Sequence, residues 1–86
     1  MEWITGKVKT TSVRISSKDM RTMFKYATRT RIGRRQVNVI TPYTQEESYE
    51  TPRGTFKFEF HLGSDLPVRL VRKQTGAQSA REYILA

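Results

Sequence analysis

Three side chains in the segment Thr55–Leu62 have the types and spacing for acid–base chemistry. Lys57, Glu59 and His61 stand at i, i+2 and i+4, on one side of an extended chain. A Glu or His there could take the proton of a ribose 2′-hydroxyl while a cation held the phosphate, the arrangement of a small ribonuclease. Arg69 or Arg72, further along the chain, would add positive charge. A charged strand facing solvent shows the same alternation, and opposite charges paired across strands stabilise by a few tenths of a kcal/mol. That plainer reading carries more weight, and no catalytic residue is assigned.

A second group is larger. Lys18, Arg21, Lys25 and Arg29 follow one another at steps of three, four and four, the spacing of one stripe along a helix. The stripe runs on into Arg31, Arg34 and Arg35. Guanidinium forks suit phosphate oxygens, so these seven residues form the candidate phosphate-contacting surface.

The distribution of charge favours that surface. Sixteen Lys and Arg stand against eight Asp and Glu, a net +8. Residues 1–35 hold Lys7, Lys9, Arg14 and the seven residues named above, against Glu2 and Asp19 only. Residues 36–86 hold Arg53, Lys57, Arg69, Arg72, Lys73 and Arg81 against Glu46, Glu47, Glu50, Glu59, Asp65 and Glu82, which sum to zero. The whole net charge therefore belongs to the first 35 residues. Such a field draws in a polyanion and speeds its encounter, without dictating a fold.

The elements that would position these residues can be read from pattern. Ser16-Ser17-Lys18-Asp19 is a helix start, with a hydroxyl to accept a first-turn amide and an acid to complement the positive end. Met20, Met23, Phe24 and Ala27 then recur on one helical face, which predicts an amphipathic helix over 17–30. Core packing explains that face better than a partner-binding stripe does. Trp3–Ile15 reads as strand, and Gln36–Thr41 as a second strand ended by Pro42. Residues 42–54, with Glu46, Glu47 and Glu50 between two prolines, read as a long acidic loop.

Phe56, Phe58, Phe60 and Leu62 alternate with Lys57, Glu59 and His61, the pattern of a half-buried strand. Gly63-Ser64-Asp65 turns it back into Leu66–Arg72, giving an antiparallel hairpin. Ala77–Leu85 is expected to form a short C-terminal helix that must dock to be stable. The fold class expected is α+β: a small antiparallel sheet of 3–4 strands, one amphipathic helix at about 17–30 and a terminal helix at about 77–85. All 86 residues would form a single domain.

Several chemistries are excluded. The chain has no Cys, which removes disulfides, thiolate catalysis and Cys-based zinc sites. One His leaves no histidine cluster, so neither a metal nor any other cofactor is expected. No apolar run approaches the roughly 18 residues that span a bilayer, and the opening MEWITGKVK has no apolar core of a signal peptide. A cytoplasmic protein without membrane contact is expected.

The predicted order of helix, three strands and helix resembles the α-β-β-β-α order of double-stranded RNA-binding domains. Gln78 and Ser79 stand where such a domain would carry a basic pair at its second helix. The end Thr75–Tyr83 resembles small arm-type domains of phage integrases, in which a hairpin precedes a threonine-started helix. Both likenesses are of order alone, and the chain is assigned to neither family. Small basic ribonuclease toxins share its size and charge, but they carry a longer N-terminal helical hairpin.

The expectation is a small nucleic-acid-binding protein, a regulatory or accessory factor for DNA or RNA. Lys18, Arg21, Lys25, Arg29, Arg31, Arg34 and Arg35 would contact phosphates, which sets orientation but carries no sequence information. Arg21, Thr22, Lys25 and Thr28 would read base edges from a major groove, or Arg34 from a minor groove. Trp3, Tyr43, Tyr49 and Tyr83 could stack on unpaired bases, with Tyr49 the best placed. The alternative is a protein-interaction module that regulates or inhibits a larger partner. Exposed strand edges in so small a sheet would also allow a homodimer.

Overall fold

The structure, a computed structural model, describes residues 9–74, 76 and 78–86. Ser16 begins its helix as the sequence predicts. The Ser16 hydroxyl accepts the Asp19 amide at 3.2 Å, and Asp19 lies in the first turn. The helix, α1, runs Ser17–Thr30. It follows β1 (Lys9–Ile15) and leads through an Arg-rich loop to β2 (Gln36–Thr41). The chain then continues through β3 (Thr44–Thr51), β4 (Gly54–His61), β5 (Arg69–Lys73) and β6 (Ser79–Leu85).

These strands form one mixed sheet in the order β1-β6-β5-β4-β3-β2. From β2 to β6 each strand pairs antiparallel with the next, and β6 pairs in parallel with β1. The passage from β1 through α1 to β2 thus carries the chain from one edge of the sheet to the other, laying the helix over one face.

Residues 42–54 do not form a loop. They contain β3, bracketed by two turns built alike: Thr41-Pro42-Tyr43-Thr44 and Thr51-Pro52-Arg53-Gly54. In each, proline supplies the fixed φ of the turn and the threonine hydroxyl accepts the amide two residues on, Tyr43 and Arg53 respectively, both at 3.1 Å. Gly54 closes the second turn at φ +113°, where any Cβ would collide with the Lys73 carbonyl.

The C-terminal segment is likewise not a helix. Residues 79–85 form β6, inserted between β1 and β5, where strand pairing on both sides satisfies its backbone. A nine-residue helix would have been marginal, and two ladders outweigh it. The expected 3–4 strand sheet with two helices is therefore replaced, among the described residues, by six strands and one helix, still broadly α+β. The order shared with double-stranded RNA-binding domains is lost with it. The strand expected over Trp3–Ile15 is observed from Lys9; its earlier part lies outside the described residues.

The core lies between α1 and the sheet. Met20 and Ala27 are fully buried under the helix, against Tyr49, Phe56, Phe58, Phe60, Leu70 and Tyr83. Phe24 inserts edge-on among three rings, 5.9 Å from Tyr49, 5.0 Å from Phe58 and 5.5 Å from Phe60. Such edge-to-face pairs add about 0.5–1.5 kcal/mol each beyond the area they bury. The predicted alternation in β4 holds for Phe56, Phe58 and Phe60, while Leu62 lies in the turn and is exposed. Among the described residues no helix is long and apolar enough to cross a membrane.

Candidate nucleic-acid interface

The face of α1 opposite Met20 and Ala27 carries Lys18, Arg21, Lys25 and Arg29, all exposed. At 1.5 Å per residue the stripe extends about 16 Å along the helix axis. Ser17, Lys18, Arg21, Thr22 and Lys25 line a shallow trough on that surface. Arg29 sits in the last turn, where a cation complements the negative helix end.

Arg31 leaves the helix in an extended conformation, with ψ 144°. The next residue ties the loop to the sheet: the Ile32 amide donates to the Glu50 carbonyl at 2.7 Å. Gly33 then takes a positive φ of 83°, with open space around it, and hands the chain to Arg34 and Arg35. Arg31, Arg34 and Arg35 are all exposed. The fold therefore presents the seven predicted residues on one helix face and in the loop that continues from it.

One of the seven is partly engaged. Arg35 Nη1 lies 3.8 Å from Glu47 Oε1. Glu47 is buried and accepts the Tyr49 hydroxyl at 2.6 Å and the Gln45 amide at 3.0 Å. Burial, reinforced by the hydrogen bond to Glu47 and its charge, pushes the Tyr49 phenol up to about 12. Tyr49 is thus a protonated donor inside the core, and its expected role of stacking on bases is overturned, since only 1% of it is exposed. Tyr83 is buried as well, Tyr43 is exposed, and Trp3 lies outside the described residues.

Lys18, Arg21, Lys25, Arg29, Arg31 and Arg34 make no ion pair among the described residues. The groups expected to read bases are partly committed to the helix itself. The Thr22 hydroxyl donates to the Lys18 carbonyl at 2.9 Å, and Thr28 to the Lys25 carbonyl at 3.1 Å.

The acid–base candidates lie on the sheet face away from α1, where they form a ladder of charges. Lys57 pairs with Glu46 at 3.7 Å. Arg69 bridges Glu59, at 3.1 Å, and Glu82, which also accepts the Ser12 hydroxyl. Burial alone would lower the Arg69 pKa, but the bonds to Glu82 and Glu59 outweigh it and hold the guanidinium above its ordinary value. Burial likewise opposes the Glu82 charge, and the Ser12 and Arg69 bonds outweigh it, so the Glu82 carboxyl sits below its ordinary value. Glu59 is thus bound to an arginine, and His61 stands exposed at the end of β4. Arg72 is on the other face: it pairs across the sheet with Phe56, whose ring its guanidinium covers at 5.2 Å.

Comparison of the chain with protein families, with curated proteins and with solved structures gives no match. Sequence reasoning missed that the electrically neutral half is sorted by face. Glu46, Glu59 and Glu82 collect with Lys57 and Arg69 on the open side. Arg53 and Arg72 lie on the helix side, over Tyr26 and Phe56.

Proposed function

We propose that the protein is a small nucleic-acid-binding factor of the cytoplasm, acting by binding and not by catalysis, and serving as a regulatory or accessory component. Lys18, Arg21, Lys25, Arg29, Arg31 and Arg34 contact phosphates, with Arg35 at the margin. One observation carries the reading: six exposed basic side chains on α1 and its following loop have no carboxylate partner among the described residues. The core uses only the opposite face of that helix, so the stripe is not needed to hold the fold. A concentration of unneutralised Arg and Lys is the electrostatic footprint of a polyanion partner.

The second reading, a protein-interaction module, rests on the β2 edge. Val37, Val39 and Ile40 are exposed along this outer strand, and Tyr43 and Leu62 are exposed beside it. An extended segment of a protein partner could pair with that edge through its backbone.

Anisotropy titrations against labelled duplex DNA, single-stranded DNA and duplex RNA at low and moderate salt test the first reading and identify the polymer. Binding that weakens steeply with salt supports it. Absence of binding to all three at micromolar protein overturns it. A stoichiometric protein partner that survives nuclease treatment and is lost on Val39→Asp supports the second.

A further inference from the structure

Arg72 and Arg81 are direct cross-strand partners of β5 and β6. Their side chains therefore leave the same face side by side, a like-charge pairing that costs stability. Arg53 approaches from the turn before β4, its guanidinium 5.8 Å over the Tyr26 ring. Tyr26 and Phe56 lie 5.7 Å apart and carry the two stacked guanidiniums, Arg53 and Arg72. None of the three arginines makes an ion pair among the described residues.

The Arg72 Nε is moreover buried without a hydrogen-bond partner among the described residues. A charged donor left in that state is costly unless something absent from the chain itself accepts from it. Arg72 borders three adjoining clefts, one of about 260 Å³ that is also walled by Arg81, Gln74, Thr11 and Ser79. Among the described residues no Asp or Glu lines any of them.

From this convergence we infer that Arg53, Arg72 and Arg81 form a binding site for a phosphate group. A lone carboxylate would leave most of the charge of three guanidiniums uncompensated. A phosphate dianion carries more charge, and its tetrahedral oxygens accept from several forks at once. Thr11, Ser79 and Gln74 supply further donors around it. The site is separate from the seven-residue stripe, sharing none of its arginines, and stands or falls independently of phosphate contact by that stripe.

The test is titration of the full chain with inorganic phosphate, with chloride at matched ionic strength as control, followed by amide and arginine side-chain NMR and by thermal unfolding. Saturable shifts at Arg72 Nε–H, Gln74 and Ser79, with a phosphate-dependent rise in Tm, are expected. Arg81→Gln, at an exposed position, should weaken phosphate binding about tenfold or more. It should also raise Tm in the absence of phosphate, because the like-charge pair is gone, an effect no purely structural role of Arg81 would give. Arg72→Lys keeps the charge, loses the fork, and should weaken binding similarly. Arg21→Ala with Lys25→Ala should leave it unchanged. Shifts that chloride reproduces, or that both arginine variants retain in full, overturn the site. Competition with a short duplex then separates the sources: displacement of phosphate assigns the site to a polymer backbone, and its absence assigns it to free phosphate or a small ester.

Discussion

Replacing Arg29, Arg31, Arg34 and Arg35 with Ala removes the basic cluster at the end of α1 and in the loop beyond it. Each phosphate contact releases counterions, so log K falls against log salt by about 0.9 per contact on duplex DNA and about 0.7 on a single strand. The structure sets the number of contacts. Lys18, Arg21, Lys25, Arg29, Arg31 and Arg34 have no ion-pair partner among the described residues, whereas Arg35 is 3.8 Å from Glu47 and is discounted. Six contacts give a slope of about −5.4 on duplex DNA and about −4.2 on a single strand. Raising salt from about 50 to 200 mM should then weaken duplex binding roughly 2,000-fold and single-strand binding roughly 300-fold. The variant keeps Lys18, Arg21 and Lys25, so its duplex slope should fall to about −2.7, a loss of only about 40-fold over the same range. All four substituted side chains are exposed, so the circular dichroism should stay that of the parent, while Tm should fall modestly because Arg35 is the cation beside the buried Glu47 carboxylate. Anisotropy titrations at several salt concentrations give both slopes. A parent slope shallower than about −2, or a slope that the four substitutions leave unchanged, would refute phosphate contact by this surface.

Gly54→Ala should lower stability by about 2–4 kcal/mol in urea unfolding, because φ is +113° there and the added Cβ meets the Lys73 backbone. An unchanged midpoint would mean that the turn and the end of β5 are not so closely apposed. Phe58→Ala empties the place of a fully buried ring 5.0 Å from Phe24 and should cost about 3–5 kcal/mol, enough to abolish the dispersed NMR spectrum of so small a chain. Tyr49 should titrate near pH 12 in phenolate absorbance, and Tyr49→Phe should remove that step. Because the phenol is raised on folding, its contribution is complete below about pH 10 and is lost as pH rises toward about 12. A shift of about two units corresponds to something on the order of 2–3 kcal/mol, so parent stability should fall more steeply than that of Tyr49→Phe across this window.

Much of the fold was legible where one face of an element is buried and the other wet. The helix over 17–30 and the Phe-rich strand have that character, and their patterns point to the right structures. The strand over 36–41 was legible from its β-branched alternation alone, since all six of its residues are exposed, and the hairpin partner buries Leu70 and Val71 on opposite faces. The pattern fails in β6, the next strand in from an edge. Ala80 and Tyr83 are both buried although they lie three apart, on opposite faces of the strand. Together with Ile84 they imitate a helical face, and only pairing with β1 and β5 decides the matter. In β3 the misleading feature is composition. Gln, Glu and Ser between two prolines suggest a loop, yet Glu47 and Tyr49 face the helix and satisfy one another by a hydrogen bond. The repeated Thr-Pro pair at residues 41–42 and 51–52 was the available signal. Each marks a turn, and two turns ten residues apart leave room for a strand between them.

The basic stripe on α1 could be read because helical spacing alone places its residues together. The arginines of the second half could not, because their placement depends on register. Residues 36–86 sum to zero, which suggests cancellation in space as well as in sequence. Strand alternation removes that cancellation. Glu59 stands opposite Arg69 on the open face, whereas Phe58 stands opposite Leu70 and Phe56 opposite Arg72 on the helix side. A slip of one residue would reverse every such assignment, moving Arg72 off Phe56 and onto the acidic face, where carboxylates would neutralise it. The aromatic core forbids the slip, since it would expose Leu70 and Tyr83, both buried against α1's side of the sheet. Packing of apolar groups thus fixes the register, and the register strands Arg72 beside Arg81 with no carboxylate partner among the described residues. The charge left unpaired there among the described residues is a consequence of how the core is built.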